Sequence, residues 1–187
     1  MQTAEQIRFS AEDYLTWEDT QTEKHEFISG EVFAMTGARQ DHVIVSLNIA
    51  SALKQRLRDT PSRPYISDLK LRVKASDAFF YPDVMVSCHA DDLKNARFIE
   101  HPSLIVEVLS DSTAAFDRGG KFAAYRKLAS LQEYLIVDIE ARRVECFRRT
   151  SDNDWLLHDY VDAVDCELTS LGIEIPMAEI FEDIEPA

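Results

Sequence analysis

The chain has 187 residues, 45% of them hydrophobic and 29% charged, which is enough for a sizeable core and the balance of a soluble globular protein. No apolar run reaches the roughly 18 residues a membrane span needs, residues 1–10 lack the pattern of a secretory signal, and Cys88, Cys146 and Cys166 are too scattered for a disulfide framework or a C-x-x-C zinc site, so a cytoplasmic protein is expected. The net charge of −14 argues against a nucleic-acid ligand, but it is uneven: residues 1–41 carry −6, residues 42–150 carry +3 and residues 151–187 carry −11.

In chain order, Ser10-Ala11-Glu12-Asp13 reads as a capping box opening a short helix to about Glu18. His25–Ile28 and Glu31–Thr36 are extended runs around the turn pair Ser29-Gly30, which predicts a hairpin. Asp41 caps a helix from His42 to about Arg58, where Val43, Leu47, Ala50, Leu53 and Leu57 recur at helical spacing before Pro61. In Leu69–Lys74 the period changes to two, and Lys70, Arg72 and Lys74 share one face of a strand. Phe79–Val86 reads as the next strand. Ser103–Leu109 is apolar on both faces apart from Glu107, as in a central strand covered on both sides. A helix from about Ser110 to Leu128 and strands at Glu133–Asp138 and Val144–Arg148 follow. The acidic segment 151–187 holds Trp155, Leu168, Leu171, Ile173, Ile175, Ile180 and Phe181, too apolar for a disordered tail, and is expected to pack on the rest as one domain spanning 1–187. The order predicts an α/β sandwich with a central mixed sheet flanked by helices, plus an N-terminal hairpin.

Two carboxylates stand out. Glu107 in a central strand costs several kcal/mol to desolvate unless a cation or donors meet it, the plainer readings being a glutamate at a strand end or one paired with an arginine. Asp83 follows Pro82 in another apolar run, and Pro82 marks a strand start or bulge. On neighbouring strands the two would lie about 5–8 Å apart, which suits one oxygen-seeking divalent ion, Mg²⁺ or Mn²⁺.

Pro82-Asp83 and Glu107-Val108-Leu109 resemble the Pro-Asp…(Asp/Glu)-x-Lys signature of the restriction-endonuclease-like superfamily. With Phe9–Tyr14, Glu26–Glu31, His42, Tyr81–Val84, Val106–Ser110, Asp117…Lys121…Tyr125 and Glu133-Tyr134, the chain from about residue 9 to 138 resembles the Uma-type family of restriction-endonuclease-like proteins.

The resemblance implies a metal-dependent endonuclease acting on DNA. It implies Asp83 and Glu107 as metal ligands with the Val108 carbonyl a further one, and Glu26 as an acidic residue of the core. Leu109 stands where the superfamily has lysine, and Lys121 on the next helix is the substitute, against the plainer reading that Lys121 pairs with Asp117 at i,i+4. His42 and Tyr125 are accessory candidates. Lys70, Arg72, Lys74, Arg118, Arg126 and Lys127 are expected to meet the DNA backbone, and a homodimer would serve the cutting of two strands. Two alternatives stay open: a nuclease-like fold without turnover that binds nucleic acid or a protein, and a hydrolase of small phosphoesters. The acidic segment is read as a cover over the far face of the sheet.

Overall fold

The computed structural model describes residues 8–161 and 164–185. Helix α1 (Ala11–Glu18) begins with half of the expected capping box: Ser10 Oγ accepts from the Asp13 amide at 3.1 Å, while the Asp13 carboxylate accepts from the Ser10 hydroxyl at 2.6 Å rather than from its amide. Strands β1 (His25–Ile28) and β2 (Glu31–Ala34) form the hairpin, with Ser29 and Gly30 at φ 49° and 92° supplying its left-handed turn. Helix α2 (Gln40–Arg56) starts two residues earlier than expected, and Asp41 does not cap it but accepts from the adjacent His42 amide; its buried stripe is Val45, Ile49, Ala52 and Leu53, while Val43 and Leu47 of the expected stripe are exposed.

Two sheets follow from the strands β3 (Arg63–Ile66), β4 (Lys70–Val73), β5 (Ala78–Phe80), β6 (Val84–Ser87), β7 (Phe98–Ile99), β8 (Leu104–Val108), β9 (Glu133–Asp138), β10 (Arg143–Arg149) and β11 (Trp155–Tyr160). One sheet has the order β2-β1-β5-β4-β7, the other β11-β10-β9-β8-β6-β3. The second is mixed, since β8 and β9 are parallel while its other pairs are antiparallel. The run expected as one strand, Phe79–Val86, is divided: β5 belongs to the first sheet and β6 to the second. Tyr81-Pro82-Asp83 crosses between them, as befits a proline that cannot donate to a ladder.

Alternation sorts the faces. Val84, Val86, Leu104, Val106, Val108, Leu135 and Val137 face α2. Met85, Ile105, Tyr134 and Ile136 face the other way, toward Leu71, Val73 and Phe80 of the first sheet and toward Tyr125. The far side of the first sheet is closed by Tyr14 and Leu15 of α1 on Phe27 and Phe79. The result is an α/β sandwich of mixed sheets flanked by helices, as the sequence predicts.

The helix expected over 110–128 is shorter and irregular. It consists of α3 (Ala114–Phe116), a π turn (Asp117–Lys121) and α4 (Phe122–Tyr125). Strands β12 (Asp165–Leu168) and β13 (Ile173–Pro176) form a hairpin, and α5 (Met177–Ile180) follows. Cys166, Leu168, Ile175, Ile180 and Phe181 join the α2-side core, so the acidic segment packs on the face of the sheet away from Glu107. Two polar ties hold it. Arg56 grips the Glu179 carboxylate, and the fully buried Glu133 accepts from Arg148 Nε at 2.7 Å and from the amides of Thr169 and Ser170 at 3.1 and 3.0 Å.

Candidate active site

The register that pairs Val84 with Val106 places Asp83, one residue before β6, opposite Glu107. The Val108 amide donates to Asp83 Oδ2 at 2.8 Å, and His42 Nε2, from the first turn of α2, lies 3.3 Å from the same oxygen. Glu107 Oε1 accepts from Tyr125 OH at 2.6 Å and from Lys121 Nζ at 3.2 Å. Glu26 shares the face of β1 opposite to Phe27, and its Oε1 reaches Lys121 Nζ at 3.4 Å and the Tyr81 amide at 3.4 Å. Asp117 Oδ1, buried and without a hydrogen bond of good angle, lies 3.1 Å from the same ammonium. The structure therefore brings Glu26, His42, Asp83, Glu107, Val108, Lys121 and Tyr125 together. Leu109, which the sequence resemblance sets at the lysine position of the signature, packs partly buried against the core and lines the same cleft.

The electrostatics follow from one cation among three acids. Burial works against the Lys121 charge, but Glu107, Glu26 and Asp117 outweigh it and hold the ammonium protonated. One cation cannot keep every carboxylate ionised. Glu107, only 3% exposed, is pushed well above the usual carboxyl range by burial, against the pull of Lys121 and with repulsion from Asp83 and Asp117. Positive charge is thus in short supply beside Glu107. For His42, burial opposes protonation, yet the Asp83 carboxylate and the Val108 carbonyl raise its pKa.

All of these groups but the fully buried Tyr125 line a cleft of about 1130 Å³ that also takes in Lys24, Arg39, Tyr81, Asp117 and Asp138. The six cations expected to meet DNA do not line it. Lys70 lies over the Tyr81 ring and 3.9 Å from Asp19, Arg72 over Phe79 and Phe98, and Lys74 is 3.0 Å from Glu100. Arg118 pairs with Glu145, Arg126 lies over Phe122, and Lys127 Nζ is 3.5 Å from the Ala75 carbonyl. Alternation along Leu69–Lys74 showed which side the charges take, but their acidic partners are distant in sequence. Asp117, Tyr81, Lys24 and Arg39 belong to the cleft without having been read as site residues. Only Asp117 had a signal, its i,i+4 spacing to Lys121.

Among the described residues, no group of three or more His, Cys, Asp and Glu side chains forms a metal cage. The donors present still fit a hard divalent ion. Each of Asp83 and Glu107 has one oxygen anchored by the protein, while Asp83 Oδ1 and Glu107 Oε2 have no hydrogen-bond partner among the described residues. Mg²⁺ is commonly held by one or two carboxylates and completes its shell with water and substrate phosphate.

Comparison with known proteins places these residues in context. The family described as "Uma2: Putative restriction endonuclease" matches residues 11–178. Two proteins of Synechocystis sp. are similar over most of their length: the uncharacterized protein slr1290, 36% identical over 95% of this chain and 93% of that one, and the uncharacterized protein sll1609, 39% identical over 79% and 85%. A solved structure described as a putative nuclease belonging to DUF820, from Anabaena variabilis, superposes with a TM-score of 0.75 over 92% of this chain and 97% of that one at 15% identity, a likeness of fold.

Proposed function

The chain belongs to the Uma2 family, and from that membership we propose that its cleft is a phosphodiester site, with Mg²⁺- or Mn²⁺-dependent hydrolysis of DNA as the activity. The observation that carries this reading is the Lys121 ammonium, 3.2 Å from Glu107 on the strand beside Asp83, where Leu109 supplies no charge. Asp83, Glu107 and the Val108 carbonyl would hold the ion, which when bound supplies a Lewis acid for the phosphoryl oxygens and lowers the pKa of a water. The chain's own groups do the rest. Lys121 meets charge that develops on the phosphoryl group, Glu26 keeps that ammonium in the cleft, and Tyr125 and His42 each fix one oxygen of a carboxylate so that the other faces inward. A symmetric dimer would bring two such clefts to one duplex.

A second reading, a nuclease-like fold that binds nucleic acid or a protein without turnover, has specific and more direct support. No three-donor cage stands among the described residues, Lys121 already sits between Glu26, Glu107 and Asp117, and four of the six cations expected to meet DNA lie within 4.0 Å of an acid. The deciding experiment incubates plasmid, single-stranded DNA and nucleotides with Mg²⁺ or Mn²⁺, with Asp83→Asn as control, and measures DNA binding in parallel. Cleavage lost in the variant supports hydrolysis, binding without cleavage supports the second reading, and turnover of nucleotides alone points to a small phosphoester.

A further inference from the structure

The Lys121 side chain leaves the backbone from a π turn, and the surroundings of that turn explain why. A π turn closes its hydrogen bonds one residue later than an α-helix, so the chain before it is rotated by about 100° relative to an uninterrupted helix. Both flanks touch the same strand residue, the earlier one through a ring that is 38% exposed. Phe116 before the turn and Tyr125 after it both pack on the Phe80 ring, with centroids at 6.4 and 5.4 Å. The Tyr134 hydroxyl pins the start of the turn by donating to the Asp117 carbonyl at 3.0 Å.

Two residues within the turn have no other evident task. At Gly120 an added Cβ would lie 2.3 Å from the Phe116 ring, so glycine lets that ring stay on Phe80 while the backbone bulges. Asp117 is 1% exposed, and its Oδ1 has the Lys121 ammonium at 3.1 Å in place of a well-directed hydrogen bond. A buried carboxylate left in that condition is costly unless its charge is used.

We propose that the π turn Asp117–Lys121 is a positioning device that sets the Lys121 ammonium among Glu26, Glu107 and Asp117, with Gly120 and Asp117 as positioning residues. The placement stands on geometry, and its bearing on turnover rests on the hydrolytic reading above. The test is acylation of the folded full-length chain with acetic anhydride, read at each lysine by mass spectrometry with the exposed Lys94 as internal reference. Gly120→Ala should raise Lys121 labelling relative to Lys94 by about tenfold through local opening, and Phe116→Ala in the same chain should return it near wild type by removing the collision. A folded Gly120→Ala variant with wild-type protection, the ring having simply swung aside, overturns the role of Gly120. Asp117→Asn adds no bulk and carries the test if Gly120→Ala does not fold. It too should expose Lys121, and unchanged protection in it overturns the proposal. If the wild type cleaves DNA, Gly120→Ala should lower kcat with KM unchanged and the double variant should restore it. A wild type that does not cleave defeats the hydrolytic reading and leaves the labelling result to stand or fall alone.

Discussion

The Val108 amide donates to Asp83 Oδ2 at 2.8 Å, so the strand that carries Glu107 also fixes the carboxylate opposite it. Holding two acids in register costs repulsion that a shared cation removes, and at Glu107 the Asp83 charge adds to the burial that already raises its pKa.

Mg²⁺ or Mn²⁺ should therefore raise the melting temperature. Mass action gives about 2.7 kcal/mol at a hundred times the dissociation constant. Glu107→Gln should abolish most of the gain in a calorimetric titration, and a variant that kept the full shift would place the ion elsewhere.

Lys121→Met should destabilise the protein by about 3–5 kcal/mol in urea unfolding at neutral pH, because it strips the cation from a cluster of buried acids. Lys121→Arg, which keeps the charge, should recover part of the loss. A penalty below about 1 kcal/mol would mean that water already reaches these carboxylates, as it reaches exposed pairs.

Asp92 offers a pH test remote from the cleft. Burial pushes its carboxyl up, but Ser87, the amides of Glu100 and His101, and the His101 ring together lower it. A folded pKa below the unfolded value of about 4 gives stability that is present above that value and lost as pH falls through the folded one. The stability gap between wild type and Asp92→Asn should be widest near neutrality and close in acid. A gap that stays constant down to the acid transition would show that these bonds do not favour the ionised form.

Glu133→Ala should release the β12–β13 hairpin, since Arg148 and the amides of Thr169 and Ser170 lose a shared acceptor. Hydrogen exchange across 165–176 should accelerate well beyond that of β8. Equal acceleration in both would mean global unfolding rather than a local latch.

Neutralising Asp159, Asp162 and Asp165 should change DNA affinity by less than about tenfold at about 0.15 M salt, where charges beyond about 8 Å are screened. Asp162 lies outside the described residues. Asp159 is engaged with Arg143 at 2.5 and 2.7 Å, and β12 packs on the α2 side of the sheet. A larger gain on a wild-type-like fold would make the segment a competitor of the polyanion.

Period and turn chemistry made α1, the hairpin, β4, β8, β9 and β10 legible, because each is fixed by neighbours in sequence, whereas for α2 they gave the span but not the cap or the buried face, since apolar residues lie all round it. Strand β3 was missed because Pro64 interrupts its pattern, β11 because the adjacent exposed Leu156 and Leu157 break its alternation, and β12 and β13 because each alternates over only four residues. The division of Phe79–Val86 between sheets was signalled by Pro82, but no local pattern says to which ladder each half belongs. The Asp83, Glu107 and Lys121 constellation was legible because each departs from its surroundings in an identifiable way. The pairing of the basic face was not, since Glu100 and Glu145 meet their partners only once the chain has folded.

The crossing at Tyr81-Pro82-Asp83 gives the cleft a mechanical property. A single unbroken stretch of backbone serves both sheets, entering from β5 beside Glu26 and leaving through β6 beside Glu107. The Val108 amide ties Asp83 to the second sheet, so a shift of one sheet over the other would change its distance from Glu26 on the first sheet more than its place opposite Glu107.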